Sequence, residues 1–406
     1  MISRKHRNGS VIVVGSGPAG LTAAIALAES GIETVLAGKR PSPSDNRTTA
    51  LLGGSVTALS TLGVWPLCEQ QAAPLTVMRL VDDTGRLWRA PEVKFSAGEI
   101  GLETFGYNIE NQHLLAALLQ RAGALPALRI VEDEVTAIEP GADAVAVTVN
   151  GGETFAASLA IGADGRRSLC RRAAGIGVDE RSYKQVALTL CFAHSRPHHD
   201  TSTEFHTADG PFTVVPLPGR RSSLVWVLDP YDADDIGALD DDELSAEIER
   251  HSHSILGKIT VEPGRGRFPL SIATAHRFAA RRIALIGEAA HVIPPIGAQG
   301  LNLGLRDAAA IAELAVAVAA ERDGGDMGGD PVLAAYDKMR RSDVAGRTLS
   351  VDLLGRSLLS DFLPLQGARG LGLYLLDRVG PLRRAVMREG VSPSAAQPRL
   401  MRGEAI

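Results

Sequence analysis

The chain of 406 residues is 45% apolar and 22% charged, a globular composition too long for one simple core, so two domains are the default. Its formal charge of −5 gives no ground for nucleic acid as a partner. Cys68, Cys170 and Cys191 are odd in number and lack CxxC spacing, which argues against a disulfide framework or a zinc site and fits a reducing compartment.

In chain order, the basic start MISRKHRNGS runs into four apolar residues and then a glycine loop, so it predicts a strand and not a signal peptide. Residues 11–14 are apolar throughout, as in a strand buried on both faces of a parallel sheet. A helix is expected from Pro18 to Ser30, with Pro in its first turn and Gly31 past its end. IETVLAG reads as the second strand, and SVTALSTLG and NQHLLAALLQRAG as short amphipathic helices ending in Gly. Between about 128 and 162, LRIVEDEVTAI, AVAVTVN and TFAASLAIGA predict strands joined by EPGAD and NGG turns. From about 183 to 230 the alternation lengthens, predicting an antiparallel sheet that faces a ligand or another domain. A helix with an acidic start, DDDELSAEIERHSHSIL, follows. Then RIALIGEAAHVIPPIGAQGLNLGLRDAA repeats the strand, glycine loop and helix of the start, and RDGGDMGGDP forms a loop between two helices. The longest apolar stretch, AAAIAELAVAVAA, is interrupted by Glu313 and is too short to span a bilayer, so a cytoplasmic protein, soluble or peripheral, is expected.

Gly15-Ser16-Gly17-Pro18-Ala19-Gly20 is GxGxxG after a strand and before a helix. Gly15 permits the tight turn, Gly17 lets a pyrophosphate approach the backbone, and Gly20 lets the helix pack on the strand. The carboxylate expected about 20 residues on, to hold a ribose, is absent. Lys39 and Arg40 end the second strand instead. Either the ribose is held elsewhere, or these cations meet the 2′-phosphate of NADP.

A nicotinamide enzyme needs one dinucleotide loop, whereas a flavin must be gripped at both ends. Gly162-Ala163-Asp164-Gly165-Arg166-Arg167-Ser168 follows a strand and precedes a basic helix start. Gly287-Glu288-Ala289-Ala290-His291 ends a strand with a carboxylate placed for a ribose or ribityl hydroxyl. Pro294-Pro295-Ile296-Gly297-Ala298-Gln299-Gly300-Leu301-Asn302 presents backbone N–H groups at a helix start, suited to the flavin N1–C2=O edge that becomes negative on reduction.

With these three motifs in order over residues 11–309, the sequence resembles the single-component FAD aromatic hydroxylases built like p-hydroxybenzoate hydroxylase. Within them it is most similar to the ubiquinone-biosynthesis hydroxylases, through DNRTTALLGGSVTALSTLGVW, YKQVALTLCFAHSRPHHDTSTEFHTADGPFTVVPLPGRRSSLVW and GAQGLNLGLRDA. The resemblance implies an α/β fold, a Rossmann-like FAD/NAD(P)-binding domain with an inserted antiparallel-sheet substrate domain and C-terminal helices. Residues 1–75, 100–182 and 273–350 would form a discontinuous FAD-binding domain, 76–99 and 183–272 the substrate domain, and 351–406 a helical segment. Gly15, Ser16, Gly17, Pro18, Ala19 and Gly20 would hold FAD, and Arg47 would contact its pyrophosphate or flavin. Asp164 and Gly165 would meet FAD and a passing nicotinamide, Gly287 and Glu288 the ribityl or pyrophosphate region, and Pro295, Gly297, Gly300, Leu301 and Asn302 the isoalloxazine. Three positions depart from the family pattern: Glu288 stands for Asp, GAQG for AGQG, and Gln112 for an FAD-binding Arg.

The implied chemistry is a flavin C4a-hydroperoxide, formed with O2, whose distal OH passes to an activated ring carbon. Electrons would come from NAD(P)H or from a ferredoxin-like donor. Such a site excludes water and favours a phenolate. His198 and Pro295 are the catalytic candidates, the first with His194 as an aid to phenol deprotonation and the second as the fixer of the flavin loop. A structural role is the commoner one for His291. Phe205, Phe212 and Trp226 either line an apolar cavity or pack a core. The implied substrate is a polyprenyl phenol of ubiquinone biosynthesis, which would bring the protein to the inner membrane surface and into a quinone-biosynthesis complex. GARGLGLYLLDRVGPLRRAVMRE would then lie at the membrane interface or pack on the FAD domain. The rival readings are a hydroxylase of a small soluble phenol, an FAD prenyl reductase and an inactive scaffold of quinone synthesis.

Overall fold

The structure is a computed structural model and describes residues 10–40, 47–85, 91–295, 298–321, 324–359, 378–391 and 397–406. The apolar run after the amino-terminus becomes the strand Ser10–Val14, flanked in parallel by Glu33–Ala37 and Leu159–Gly162. Leu128–Val131 and Ile283–Leu285 extend this sheet on either side, and Ala279–Ala280 adds an antiparallel edge. Buried on both faces, Val11, Ile12 and Val13 are fully enclosed. The helix Pro18–Glu29 lies on this sheet with Leu21 to Ala28 buried, and the long helix Gln299–Ala319 packs beside it.

Two expected strands each break in two. LRIVEDEVTAI divides at Asp133, whose carboxylate accepts from the Gly151 and Glu134 amides. Its first half joins the parallel sheet, and Val135–Pro140 pairs with Val145–Val149 in a three-stranded meander. TFAASLAIGA divides at Ser158 between Thr154–Ala157 and Leu159–Gly162. The predicted acidic helix runs Asp241–His251, started by a capping box between Asp240 and Glu243.

The long alternating segments form a nine-stranded sheet around Val178–His194, Arg221–Leu228, Pro211–Leu217 and Thr201–His206. It is not antiparallel throughout, because Thr201–His206 pairs in parallel with Val77–Asp82, beyond which Val93–Ser96 adds an edge. At the other edge Ala273 and Thr274 pair with Val292 and His291, which ties this sheet to the second glycine loop. A small antiparallel sheet of Thr48–Leu52, Gly106–Glu110 and Ala72–Pro74 stands between it and the parallel sheet.

Alternation gives the large sheet two unlike faces. Leu188, Leu190, Phe192, Phe205, Phe212, Leu224 and Trp226 point to a far face packed on Leu244 and Ile248 of the acidic helix. There Trp226 and Phe212 meet edge to face at 5.1 Å. Phe205, Phe212 and Trp226 are therefore core residues and line no cavity on the cofactor side. The near face carries Ala187, Thr189, Cys191, Thr213, Val215, Ser223 and Val225, turned toward the small sheet. No helix among the described residues is long and apolar enough to cross a membrane.

Candidate active site

The first glycine loop joins Ser10–Val14 to the helix Pro18–Glu29, and backbone contacts shape it. Gly15 sits at φ +111°, where a Cβ would run into the Ala163 carbonyl, and a Cβ on Gly20 would run into the Gly15 carbonyl. Gly38 closes the floor, its own Cβ position lying 2.9 Å from Ser16 N. Gly17 differs, since a Cβ there would meet nothing within 4 Å. It faces open space and starts the helix without a side-chain cap, so the first N–H groups are left for a ligand. Pro18 lacks the donor that would have been orphaned, and the Ser16 hydroxyl donates to the Lys39 carbonyl.

Lys39 and Arg40 face carboxylates, Lys39 Nζ lying 2.8 Å from Glu134 and Arg40 3.8 Å from Glu132. A 2′-phosphate placed on these cations would meet both acids. Of the two sequence readings, the structure therefore favours a ribose held elsewhere.

The second loop leaves the strand Ile283–Leu285 at Gly287, φ +57°, whose N–H donates to Asp307 Oδ2 at 2.9 Å. Glu288 is exposed and pairs loosely with Arg166 at 3.4 Å. Pro294 and Pro295 lead toward the helix Gln299–Ala319, whereas Gly297 lies outside the described residues. Ala298, at φ +55°, starts that helix with neither a side-chain cap nor an acid in its first turn. Gly300 and Leu301 therefore belong to a second helix start whose first N–H groups no side chain caps.

The Asn302 side chain is engaged by the protein. Its amide donates to Ala50 O and Ala298 O at 2.8 and 2.6 Å and accepts from Leu52 N and Ser55 Oγ at 2.9 and 2.7 Å. It latches the long helix to the strand Thr48–Leu52 and the helix Gly53–Thr61. One turn and a half on, Asp307 is fully buried and accepts from Gly287 N, His291 Nε2 and Arg340 Nε. Burial alone would push its carboxyl up, but His291 and Arg340 more than offset that and hold it below the usual carboxylate range. Arg340 Nη1 also donates to Asp343 at 2.7 Å. The structural reading of His291 is the one its place in this network favours. The two loops touch through small residues: Cβ positions on Gly304 and Gly287 would lie 3.4 and 3.5 Å from the Ala19 methyl.

The remaining expected residues are engaged as follows. Asp164 accepts from Ser168 Oγ, Leu169 N and Cys170 N at 2.6, 2.6 and 3.0 Å, so its carboxylate caps the short helix Leu169–Ala173. Gly165, at φ +75°, makes the turn between them. Arg47 lies over the Phe268 ring at 5.4 Å, at the near face of the large sheet. Gln112 donates to Glu110 at 3.4 Å. Arg221 pairs with both Glu110 and Glu262, which keeps its guanidinium firmly charged. Near it, Thr48 donates to Ser223 Oγ at 2.9 Å and Asn108 to Pro216 O at the same distance.

His198 holds a turn with both nitrogens: Nδ1 accepts from Asp200 N and Nε2 donates to Leu217 O, each at 3.0 Å. His194, on the far face, bonds Arg196 O and Ser222 Oγ, and its burial lowers its basicity. Neither histidine has a nitrogen left for a phenol. Asp307, Arg340, Thr48, Asn108 and Ser223 were missed by sequence reasoning. Asp307 stands inside the motif GLRDA, and the signal available was an acid on the apolar side of a helix. The residues present fit FAD: the uncapped start of Pro18–Glu29, beside an open glycine, packs on the second turn of Gln299–Ala319, whose start is also uncapped.

The FAD binding domain family matches residues 8–349. The ubiquinone hydroxylase UbiL of Rhodospirillum rubrum is 36% identical over 403 residues, which cover 97% of this chain and 92% of that one. The 3-demethoxyubiquinol 3-hydroxylase of Escherichia coli is 33% identical over 387 residues, 93% of this chain and 97% of that one. Among solved structures, p-nitrophenol 4-monooxygenase PnpA of Pseudomonas putida superposes with a TM-score of 0.76 at 19% identity, covering 96% of this chain and 99% of that one. HpxO of Klebsiella pneumoniae, solved with FAD and uric acid, does so with a TM-score of 0.72 at 21% identity, covering 94% of this chain and 96% of that one.

Proposed function

This chain belongs to the FAD binding domain family and is an FAD-dependent monooxygenase, and on that premise we propose that it hydroxylates the aromatic ring of a polyprenylated phenol in ubiquinone biosynthesis. When bound, FAD would supply the oxygen-transfer chemistry, with NAD(P)H or a ferredoxin-like donor as the source of electrons and O2 as the source of the oxygen atom.

The protein's own part is to grip, orient and dry the site. The N–H groups after Gly17 would hold the pyrophosphate, and the start of Gln299–Ala319 would stabilise negative charge on the reduced ring system. Asn302 and Asp307 keep that second helix end in place from behind. Thr189, Val225 and Thr213 form a partly exposed row of methyl and hydroxyl groups on the near face of the large sheet. Such a row suits a ring bearing oxygen substituents and an apolar chain. Two relatives whose names specify ubiquinone chemistry, aligned over nearly all of this chain, support the substrate class.

A lipid substrate would bring the protein to the inner membrane surface. Within the C-terminal segment, the helix Gly380–Val391 packs through Met387 on Ala97 and Phe105, and Arg383 pairs with Glu99. Arg384, Val386 and Arg388 remain exposed for a peripheral contact. Residues 367–377 of that segment lie outside the described residues.

The observation that carries the reading is the packing of the uncapped start of Pro18–Glu29, at Ala19, on Gly287 and on Gly304 in the second turn of Gln299–Ala319, whose own start is also uncapped. Its test is deletion of the gene, with the accumulating lipid identified by mass spectrometry and the protein restored under labelled O2. A prenyl phenol lacking one hydroxyl, which gains one labelled oxygen on restoration, is the expected result. An unchanged quinone pool would remove the assignment.

A further inference from the structure

We propose that His206, oriented by Glu204, is the base that takes the phenol proton of the substrate; this rests on the hydroxylase reading above. Both residues lie on the strand Thr201–His206. Phe205 between them points to the far-face core, its ring 5.9 Å from that of Phe212. Alternation therefore turns Glu204 and His206 to the near face. In register, Glu204 stands opposite Thr213, Thr213 opposite Val225, and Val225 opposite Thr189. This row lies on the same face that brings Ser223 to Thr48 and Phe268 to Arg47. With strands about 4.8 Å apart, Glu204 is roughly 10 Å from Val225, the span of a substituted ring.

His206 Nε2 lies 2.7 Å from Glu204 Oε1, with side chains only 6% and 19% exposed. An ionised carboxylate can only accept, so Nε2 carries the hydrogen and Nδ1 holds the lone pair. Nδ1 has no hydrogen-bond partner among the described residues. His194 and His198 differ in this respect, because each uses both ring nitrogens. His291 has its second nitrogen enclosed in the core without a partner, out of reach of a substrate.

In the step itself, the phenol O–H bond breaks and its electron pair stays on oxygen. The proton forms a bond to Nδ1, giving a phenolate and an imidazolium whose other N–H still faces Glu204. The carboxylate fixes the tautomer and stabilises that imidazolium. The phenolate raises electron density at the ortho and para carbons, which electrophilic oxygen transfer requires. His206 is the catalytic residue here and Glu204 a positioning residue.

The test separates proton transfer from oxygen chemistry. Oxidised, FAD-loaded protein, without reductant, is mixed with a nitrophenol carrying a short prenyl chain, whose phenolate is visible by its absorbance. Wild-type protein is expected to hold more of the bound probe as phenolate than free solution does at the same pH. His206→Gln should bind the probe with similar affinity and lose that excess. In turnover it should lose about 10²–10⁴-fold in hydroxylation rate while still consuming reductant and releasing peroxide. Glu204→Gln should lose about 10–100-fold. A fluorinated, more acidic phenol should restore most of the His206→Gln rate. FAD content and the unfolding midpoint establish that each variant is folded, and His206→Asn replaces His206→Gln if the latter is not. Equal phenolate fractions and equal coupled turnover in wild type and a folded His206 variant would overturn the assignment. Wild-type protein that carries FAD yet neither binds nor oxygenates a phenol would instead overturn the hydroxylase reading, and this assignment with it.

Discussion

At the first glycine loop the chain makes a ligand-ready helix end from backbone alone, whereas at the second it borrows side chains from distant segments. Gly15 and Gly20 are held by carbonyls within the loop and at the end of the neighbouring strand, and Gly17 stays open. The start of Gln299–Ala319 is held by Asn302, bonded to residues 50, 52 and 55, and by Asp307, bonded to Gly287, His291 and Arg340. At Gly15 and Gly20 the backbone-built loop has no room for an added atom, whereas the loop held by side chains depends on a buried charge. The two loops should therefore fail in opposite ways.

The largest effect is expected at Asp307. Asp307→Asn leaves Arg340 buried beside a neutral amide, and breaking one partner of a buried ion pair costs about 3–5 kcal/mol. Denaturant unfolding should show a midpoint lowered to match, with FAD released earlier than from wild type. The pH dependence has a definite sign. Because the folded carboxyl is held below its usual value, its contribution is fully present above the ordinary Asp range, about pH 3.9. It is lost as pH falls from there through the lower folded value. Acid titration of wild type should show that loss, and Asp307→Asn should lack it. Equal acid profiles would mean that Gly287 is held by something other than this charge.

Gly20→Val breaks the first loop by the opposite route. The new Cβ would meet the Gly15 carbonyl, a backbone obstacle that no rotamer change relieves. Overpacking of this kind costs about 3 kcal/mol at its upper range, and here it pushes the helix start off the strand end and distorts the loop. Purified Gly20→Val protein should be colourless, and added FAD should leave it so. Gly17→Ala is the control, since its Cβ meets nothing in the protein. It should fold normally and lose only FAD affinity. If Gly17→Ala binds FAD as tightly as wild type, the ligand does not approach there.

This difference also explains what was legible in the sequence. Glycine spacing announces a backbone-built loop: Gly15 makes the tight turn and Gly20 the close packing that their spacing implied, and Gly17 faces open space. The strands around residues 11–14 and 159–162 were equally readable, because burial on both faces leaves an unbroken apolar run. The bonds that Asn302 and Asp164 make to their own protein were not legible, because sequence does not reveal which atoms a side chain will meet. Asp307 escaped notice because Arg340 is 33 positions away. The sheet faces were recoverable: the alternation that buried Trp226 also set Val225 and Thr213 on the other side, and of the two readings open for the aromatic residues core packing is the one found.

Asn302→Ala sharpens the comparison at intermediate strength. It removes four hydrogen bonds and leaves Leu52 N and Ala50 O without those partners. A loss of about 2 kcal/mol is expected, from net bond strengths near 1 kcal/mol and the cost of unmatched buried groups. The protein should remain yellow but release FAD faster. A variant with unchanged FAD release would show that the helix end is positioned without the latch.

The smallest effect is expected at Lys39 and Arg40, where the backbone-built loop meets the solvent. Their ion pairs with Glu134 and Glu132 are exposed, and pairs of this kind contribute about 0–1 kcal/mol. Replacing both cations by Ala should therefore leave FAD content unchanged and stability within about 0.5 kcal/mol of wild type. The decisive measurement is the ratio of kcat/KM for NADPH to that for NADH in wild type and in the double variant. If the two acids already answer the two cations, removing the cations leaves that ratio where it was. A selective loss with NADPH would instead show that a 2′-phosphate displaces the carboxylates, and that the cations beside the glycine loop read the reductant.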